Sequence, residues 1–365
     1  MEPATVPELA LLVDRVKAAR ADKTPLDIRG GGTKHFYGGE PVGAPLDLGG
    51  LCGISNYEPS ELVITARAGT PLAELENALA EQGQCLPFEP PRFGDTGTVG
   101  GMVAAGLAGP ARAVVGSVRD YVLGATLLNG RAEVLSFGGQ VIKNVAGYDV
   151  SRVLAGSLGT LGVICEVSLK VLPLAQATLT LRIEADQAEA IRKVTELSGQ
   201  PLPLNASAWW DGMLVLRMSG AAAAVQAAQH KIGGEVIDAA LAHVFWNGLR
   251  DHGDEFFVGA AKALSSGAAL WRLSVPATTA PLKLSGEQLL EWGGAQRWIC
   301  TAAPANVLRD AAAAAGGHAV LFRSNSKSAG AFAPLKPPLD RIHRQLKSAF
   351  DPEGIFNRGR LSPEW

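Results

Sequence analysis

Three glycine-rich segments in the first half of the chain limit its possible folds more than any other feature. They are RGGGTK (29–34), GDTGTVGG (94–101) and NVAGYDVSRVLAGSLGTLGVI (144–164). Glycine lets the backbone approach a neighbouring group closely, and consecutive N–H groups in such a loop can surround a phosphate. One loop of this kind is usually only a tight turn. Three of them, each next to a predicted strand, indicate a domain that holds a large, extended ligand.

The common nucleotide-binding motifs do not account for these loops. A Walker loop requires GxxxxGK[ST], and Lys34 follows a threonine rather than a glycine. A Rossmann fingerprint requires GxGxxG at a strand-to-helix turn. The segments GSLGTLG (156–162) and GTVGGMVAAG (97–106) do not match it. The sequence therefore disfavours a P-loop NTPase and a nicotinamide dehydrogenase.

Length and charge narrow the class of protein. The 365 residues predict two domains, and 47% hydrophobic with 19% charged residues is typical of a folded chain. The formal net charge of -2 gives no electrostatic reason to expect nucleic-acid binding. Neither a secretory signal nor a run of 18 apolar residues is recognisable, so we expect a cytoplasmic protein that meets a membrane only through partners.

Cysteine and histidine spacing disfavours a metal centre. The four cysteines (Cys52, Cys85, Cys165 and Cys300) include no CxxC pair, and no two of the six histidines form HxH or HxxxH. A zinc site or an iron–sulfur cluster within this chain therefore has no support. We expect the cysteines to be reduced, buried thiols.

Periodicity predicts the elements around the glycine loops. A capping box of Thr5 and Glu8 would start a helix whose face is Leu9, Leu12, Val13 and Val16. A second helix would be capped by Thr70, with Pro71 in its first turn, Gly83 at its end, and Leu72, Leu75 and Leu79 buried. Asn129-Gly130 predicts a hairpin, and a buried strand ends at Pro173.

The residue pattern of the sequence changes after Pro173. Strands alternate with alanine-rich helices up to about residue 335, which predicts a second α+β domain. A last helix would bury Leu339, Ile342 and Leu346 and stop at Asp351-Pro352. We therefore predict an α+β fold with domains 1–173 and 174–335 and a C-terminal helix and tail, 336–365, packed back on the first domain.

The glycine segments resemble the FAD-binding domain of the vanillyl-alcohol-oxidase and p-cresol-methylhydroxylase superfamily. More narrowly, the chain resembles the family of the second, smaller FAD-binding subunits of bacterial glycolate oxidases. The segments that carry this resemblance are DIRGGGTKHFYGG (27–39), GGQVIKNVAGYDVSRVLAGSLGTLGVICEVSLKVLP (138–173), LWRLSVP (270–276), WGGAQRW (292–298) and FDPEGIFNRGR (350–360).

The resemblance implies a set of cofactor-binding residues. Those at the FAD diphosphate would be Gly30, Gly31, Gly32, Thr33 and Lys34, with Arg29 beside them. Thr98, Gly100 and Gly101 would line the diphosphate and the flavin edge, Gly159, Gly162 and Ile164 the adenosine half, and Asn357 would lie near the isoalloxazine ring. Members of the superfamily often attach FAD to a histidine directly after two glycines. Because Thr33 follows the third glycine here, the resemblance implies non-covalent FAD.

The resemblance also implies a heteromeric complex. Its other members would be a larger FAD-binding subunit and an iron–sulfur subunit, and it would oxidise glycolate to glyoxylate and deliver electrons to the quinone pool at the inner membrane. A histidine-rich metal motif is expected in the larger subunit and is absent here. We therefore expect this chain to relay electrons or to complete the assembly, and no catalytic residue is assigned.

The second half offers arginines and tryptophans among apolar residues. An arginine could clamp a carboxylate with two hydrogen bonds, or it could form a structural pair or stack on an aromatic ring. The structural interpretation is favoured for Arg217, Arg250, Arg272, Arg297 and Arg323. Trp209, Trp210, Trp246, Trp292 and Trp298 are likewise more often core or interface residues than a substrate box.

Two alternatives stay open. The first is a self-contained flavin oxidase for another hydroxy acid or an alcohol, which requires a carboxylate-binding arginine beside the flavin. The second is a structural subunit without FAD. The many glycines argue against the second alternative, because a loop without a ligand should gain nothing from them.

Overall fold

Two large antiparallel sheets organise the protein. The computed structural model describes residues 6–139 and 149–364, so most of the KNVAGYD segment (143–149) lies outside the described residues. One sheet has five strands in the order β3-β4-β8-β6-β7, and the other has eight strands in the order β13-β10-β12-β11-β15-β16-β14-β17. The predicted α+β class is confirmed. The domain boundaries at residues 173 and 335 stay predictions.

The N-terminal half contains the five-stranded sheet and two small strand pairs, the parallel pair β1-β2 and the antiparallel pair β5-β9. Its strands are β1 (Leu26–Arg29), β2 (Ala44–Asp47), β3 (Ile54–Glu58), β4 (Val63–Arg67), β5 (Gln84–Cys85), β6 (Val122–Leu128), β7 (Val134–Gly138), β8 (Val163–Lys170) and β9 (Leu172–Pro173). Its α-helices are α1 (Pro7–Asp22), α2 (Leu72–Glu81), α3 (Val99–Ala105), α4 (Arg112–Val115), α5 (Val118–Tyr121) and α6 (Val150–Val153).

The second half builds the eight-stranded sheet, followed by a C-terminal helix. Its strands are β10 (Ala177–Glu184), β11 (Leu204–Trp210), β12 (Met213–Gly220), β13 (Glu235–Ile237), β14 (Ala269–Ser274), β15 (Glu287–Glu291), β16 (Gln296–Thr301) and β17 (His318–Arg323). Its α-helices are α7 (Gln187–Ser198), α8 (Ala222–Ile232), α9 (Ala239–Asp251), α10 (Glu255–Leu264), α11 (Ala305–Ala314) and α12 (Leu339–Phe350). Two short 3-10 turns lie at Pro59–Glu61 and Trp292–Gly294.

Side-chain alternation gives the eight-stranded sheet two distinct faces. On one face, Trp298 and Phe322 pack with residues of α9 and α10 and with Leu107 and Leu158 of the N-terminal half. We call this the inner face. The opposite face packs against α7, α8 and α11. Part of the inner face therefore contacts the N-terminal half.

The C-terminal segment returns to the N-terminal half by backbone pairing. Phe356 forms a parallel bridge with Leu26 of β1. The Leu26 N–H donates to the Ile355 carbonyl at 2.7 Å, and the Asn357 N–H donates to the Leu26 carbonyl at 2.9 Å. The tail thus extends the β1-β2 pair.

A buried ion pair anchors this return. The Lys347 ammonium donates to Asp351 Oδ2 at 2.7 Å and to the carbonyls of Thr160 and Phe356 at 2.7 and 2.9 Å. The Asp351 carboxylate also accepts from the N–H groups of Ile355 and Phe356. Because Thr160 belongs to the third glycine-rich segment, α12 contacts the described part of that segment.

Both predicted N-terminal helices form, and their buried faces are confirmed, except that Val13 is only partly buried. Their predicted caps are wrong. Val6 occupies the N-cap of α1 without a side-chain hydrogen bond, and Thr5 lies outside the described residues. Pro71 occupies the N-cap of α2, while the Thr70 hydroxyl donates to the carbonyls of Gly53 and Arg67.

Three further local predictions need correction. The hairpin forms, but residues 129–133 make a five-residue loop in which Asn129 Oδ1 accepts from the N–H groups of Arg131 and Glu133. Leu339 and Ile342 of α12 are exposed, because Lys347 is the side chain that this helix buries. Cys52 is exposed rather than buried.

Among the described residues, no helix is long and apolar enough to cross a membrane.

Candidate functional site

A cleft with an empty volume of about 760 Å³ lies where the described parts of the three glycine-rich segments meet the C-terminal tail. Every residue of the predicted cofactor set except Arg29 lines it: Gly30, Gly31, Gly32, Thr33, Lys34, Thr98, Gly100, Gly101, Gly159, Gly162, Ile164 and Asn357. The Arg29 side chain instead pairs with Asp27 at 2.6 Å and is 44% exposed.

The first glycine loop lines the cleft and contains backbone N–H groups without an acceptor among the described residues. Strand β1 ends at Arg29, whose carbonyl still accepts from the Leu48 N–H, and the pairing stops there. Within the described residues, none of the N–H groups of residues 30–34 donates to a carbonyl or a side chain. Unpaired backbone N–H groups need an acceptor, and consecutive ones suit a phosphate.

In the second loop, three N–H groups at its end have acceptors, whereas those of residues 94–98 have none among the described residues. The Val99 N–H donates to the Thr70 carbonyl and the Gly100 N–H to the Ala68 carbonyl. Thr98 caps α3, because its Oγ1 accepts from the Gly101 N–H at 3.2 Å. Thr98, Gly100 and Gly101 of this loop form a wall of the cleft.

Glycine is required at Gly30 and Gly31 because the two loops pack directly on each other. A Cβ atom on Gly31 would overlap the Thr96 carbonyl oxygen, and one on Gly30 would overlap Thr98 Oγ1. The Thr96 hydroxyl also donates to the Gly31 carbonyl at 2.7 Å. Gly32 differs, since it has a φ of 73° and open space where a Cβ would be.

Asn357 joins the tail, β1 and the third segment. Its Oδ1 accepts from the Ile28 N–H at 2.7 Å, and its Nδ2 donates to the Leu158 carbonyl at 2.6 Å. A Cβ on Gly159 would lie 2.6 Å from that Nδ2. The residue has a φ of 44°, in the left-handed region that asparagine tolerates better than most residues. Its amide holds the cleft wall together.

Arg360 is a cleft residue that sequence reasoning missed. Its guanidinium donates to the carbonyls of His35, Tyr37 and Gly39, and the side chain is 6% exposed. It thereby fixes the chain that leaves the first glycine loop. Its position in FNRGR, near Asn357, is the signal that could have found it. The other lining residues outside the predicted set are Asp27, Ile28, His35, Leu48, Ala104, Ala105 and Leu158.

Lys34 is the cationic side chain that the first loop adds to the cleft. Its ammonium lies 3.2 Å from Thr33 Oγ1 and 3.3 Å from the Arg92 carbonyl. Burial lowers the pKa of Lys34 to about 8, although the charges of Asp251 and Glu76 oppose this shift. Burial also lowers the pKa of His35, which is therefore mostly neutral at pH 7.

Three of the arginines in the second half have structural roles, which is the interpretation that the sequence favoured. Arg217 pairs with Glu89 at 2.7 Å, and Arg250 pairs with Asp251 at 2.7 Å. Arg297 donates to backbone carbonyls, including that of Gly294 at 3.1 Å. The tryptophan indoles also have protein acceptors, namely Ala185 for Trp209, Glu287 for Trp210, Thr180 for Trp246, Gly109 for Trp292 and Glu291 for Trp298.

Arg272 and Arg323 differ from these three. Arg272 donates to the Tyr37 hydroxyl at 3.0 Å and lies over the Tyr37 and Phe322 rings. Arg323 lies 3.6 Å from the centroid of the Phe36 ring. Within the described ranges, neither guanidinium has a carboxylate partner, so both leave a positive charge at the junction of the two halves.

The first part of the chain matches an FAD-binding family. A family profile described as "FAD binding domain" matches residues 2–138. A solved structure of alkyldihydroxyacetonephosphate synthase superposes with a TM-score of 0.67 at 14% identity, covering 95% of this chain and 73% of that one. At this identity, the superposition establishes the fold alone.

Two curated relatives narrow the class. The chain is 47% identical to glycolate oxidase subunit GlcE of Escherichia coli (strain K12) over 353 residues, which are 97% of each protein. It is 33% identical to a D-lactate dehydrogenase of Archaeoglobus fulgidus over 199 residues, 52% of this chain and 43% of that one. The chain belongs to the family of the glycolate oxidase subunit GlcE.

Proposed function

We propose that this chain is the FAD-binding subunit of a glycolate oxidase complex, which oxidises glycolate to glyoxylate and passes the electrons to partner subunits. The observation that carries the proposal is the 47% identity to a glycolate oxidase subunit over 97% of both chains, together with a cleft lined by the predicted cofactor residues. The conclusion concerns one subunit, so the complete reaction belongs to the assembly.

The cleft residues fit FAD. The free N–H groups of residues 30–34 and the Lys34 ammonium would hold the diphosphate, while the loop of residues 98–101 would form the wall beside it. Gly159, Gly162 and Ile164 would line the adenosine half, and Asn357 would lie near the isoalloxazine ring. Bound FAD supplies the acceptor for the hydride removed from a C–OH group. Since Thr33 follows the third glycine, the proposal includes non-covalent attachment.

The partners form the next part of the proposal. They would be a larger FAD-binding subunit and an iron–sulfur subunit, and the complex would be cytoplasmic with indirect contact to the inner membrane. Both inferences rest on the resemblance and on the word "subunit" in the name of the E. coli relative. Electron relay is the favoured role. Arg272 is the specific observation that favours the alternative, a subunit that oxidises the acid itself.

An absorbance experiment tests the function. The purified chain is expected to carry a flavin band, and acid precipitation should release the flavin into the supernatant. Anaerobic glycolate should bleach the band only after the larger subunit is added. Bleaching by the chain alone would instead establish the self-contained oxidase. A chain that remains colourless after incubation with FAD would overturn the cofactor assignment and leave the structural subunit.

Lys34 is expected to make FAD affinity depend on pH. Its pKa is about 8 in the free chain, and a nearby diphosphate would raise it, so FAD binds the protonated lysine more tightly. Binding then takes up a proton, and the Kd for FAD should increase above pH 8 by up to about tenfold per pH unit. Fluorescence titration at pH 7, 8, 9 and 10 measures this.

The control for this prediction is Lys34→Arg, which keeps its charge throughout the range. Its Kd should change less with pH than that of the wild type, and Lys34→Met should bind weakly at pH 7. An identical pH dependence in wild type and Lys34→Arg would show that the Lys34 ammonium does not contact the diphosphate.

A further inference from the structure

The segment EPPRF (89–93) lies between the first glycine loop and the second half of the chain. Two of its residues, Glu89 and Phe93, have φ angles of 48° and 54°, in the left-handed region that residues other than glycine rarely adopt. Such conformations are unfavourable and persist only where surrounding contacts hold them, as they do at many ligand sites. The contacts of this segment therefore indicate its use.

Two side chains of the second half hold this segment. The Arg217 guanidinium of β12 pairs with the Glu89 carboxylate at 2.7 Å. Asp251, the last residue of α9, accepts from the Arg92 N–H at 2.8 Å. Because the segment belongs to the N-terminal half, its position depends on how the two halves pack together.

The same segment contacts Lys34 of the first glycine loop. The Lys34 ammonium donates to the Arg92 carbonyl at 3.3 Å and lies over the Phe93 ring, 5.6 Å from its centroid. Arg92 therefore bonds through its N–H to the second half and through its carbonyl to the first glycine loop. A change at Asp251 can reach Lys34 through this one residue.

The charges at this junction leave Lys34 available for an anionic ligand. Three ion pairs involve segment 89–93 or its contacts, namely Arg92 with Glu76, Arg217 with Glu89, and Arg250 with Asp251. Within the described ranges, the Lys34 ammonium has no carboxylate at ion-pair distance, and its protein acceptors are Thr33 Oγ1 and the Arg92 carbonyl. Burial lowers the pKa of Lys34, and the charges of Asp251 and Glu76 oppose that effect.

We propose that Asp251 is a positioning residue for the cofactor, because it holds the Lys34 ammonium, through Arg92, where the FAD diphosphate binds. The inference rests on the proposed function, since it takes the anion at Lys34 to be that diphosphate. Asp251 does not line the cleft itself. The second half of the chain thus contributes to FAD affinity from outside the cleft, and by linkage bound FAD stabilises the contact between the two halves.

A double-mutant cycle separates an effect through Lys34 from a general loosening of the fold. Fluorescence titration at pH 7 measures the Kd for FAD of the wild type, Asp251→Ala, Lys34→Met and the double variant, and thermal unfolding shows whether each is folded. Asp251→Ala should raise the Kd at least about fivefold when Lys34 is present and less than about twofold in the Lys34→Met background. The second effect is small because the group that Asp251 positions is then missing.

Asp251→Asn isolates the charge of this residue, since the amide oxygen can still accept from the Arg92 N–H. At pH 6, where Lys34 is protonated, this variant should bind FAD at least as tightly as the wild type. Without the Asp251 charge the pKa of Lys34 falls further, so the Kd should start to increase at a lower pH. The ratio of the Kd at pH 8 to that at pH 6 should be at least about twice the wild-type ratio.

Asp254→Asn is the matched control for this charge removal. Asp254 lies three residues further along the chain, and its carboxylate caps α10 by accepting from the Phe256 N–H. Asparagine is an equally good N-cap, so the substitution removes a charge without removing the cap. Its Kd for FAD should follow the wild-type pH profile.

Two results would overturn the inference: an unchanged Kd in Asp251→Ala, or an equal loss of affinity with and without Lys34. If Asp251→Ala does not fold, or Lys34→Met binds too weakly to measure, the pH profile of Asp251→Asn decides. A profile identical to that of Asp254→Asn would then contradict the positioning role. A wild type that binds FAD independently of Asp251 loses only this inference, whereas a wild type that never binds FAD loses the cofactor assignment as well.

Discussion

Replacement of Lys347 by methionine is expected to lower the free energy of unfolding by about 3–5 kcal/mol, because it removes one partner of a buried ion pair. The Lys347 and Asp351 side chains are 5% and 0% exposed. Methionine keeps the apolar stem but leaves the Asp351 carboxylate with only the N–H groups of Ile355 and Phe356. Denaturant titration followed by circular dichroism measures the loss.

The same helix supplies the control for this prediction. Arg344 pairs with Asp340 and Glu364 on the surface of α12, and its side chain is 50% exposed. Arg344→Met should change the free energy of unfolding by less than about 1 kcal/mol. Limited proteolysis should cut the C-terminal tail of Lys347→Met faster than that of Arg344→Met. Equal stabilities of the two variants would show that the ion pair does not anchor the tail.

Helix α12 also shows how a periodic pattern can indicate the wrong face. Leu339, Ile342 and Leu346 recur at helical spacing, and the first two are exposed. Lys347 is buried instead, since one aspartate and two backbone carbonyls satisfy its ammonium. All three acceptors lie outside the helix, whose last residue is Phe350. The local sequence therefore gave no signal that a charged side chain would be buried here.

The glycine loops were the most predictable part of the site. Their backbone freedom is a local property, and the strand that directly precedes the first loop is recognisable from its own residues. Arg29 was predicted to lie at the cleft, but its side chain forms an ion pair with the nearby Asp27 instead. Arg360 was missed because its role depends on the carbonyls of His35, Tyr37 and Gly39, which are more than three hundred residues away.

The second half of the chain was predictable only as an α+β region. Strands and helices could be recognised from their patterns, but the partners of the arginines could not. Arg217 forms an ion pair with Glu89 across the junction of the two halves. Arg272 donates to the Tyr37 hydroxyl and, among the described residues, has no carboxylate partner. Nothing in the residues next to either arginine distinguishes them. On the inner face of the sheet, Arg272 contacts Tyr37 and Phe322. The residues on that face become neighbours through the order of the strands, which the sequence next to Arg272 does not reveal.

One argument from the glycine-rich loops needs correction. We expected that a subunit without FAD would gain nothing from so many glycines in these loops. Gly30, Gly31 and Gly100 are in fact required for loop-on-loop packing, since a Cβ on each would collide with Thr98, Thr96 or Ala68. Glycine content therefore does not by itself exclude a structural subunit. The free N–H groups of residues 30–34 are the feature that loop packing leaves unexplained and that an anionic ligand accounts for.

Gly31→Ala is expected to weaken FAD binding by at least about tenfold, or about 1.4 kcal/mol. The added methyl would overlap the backbone carbonyl of Thr96, which is not the end of a flexible side chain. The first loop must then separate from the second, and its N–H groups are displaced. The measurement is the Kd for FAD by fluorescence titration, together with the flavin content of the purified variant.

Gly83→Ala is the matched control for this substitution. Gly83 has a φ of 63° with nothing within 4 Å of an added Cβ, and it lies at the end of α2 outside the cleft. Its replacement should lower stability by roughly 1 kcal/mol through backbone strain, with FAD affinity unchanged. If Gly31→Ala instead bound FAD as tightly as Gly83→Ala, the contact between the two loops would not shape the cofactor site. The diphosphate would then have to be held by other residues of the cleft.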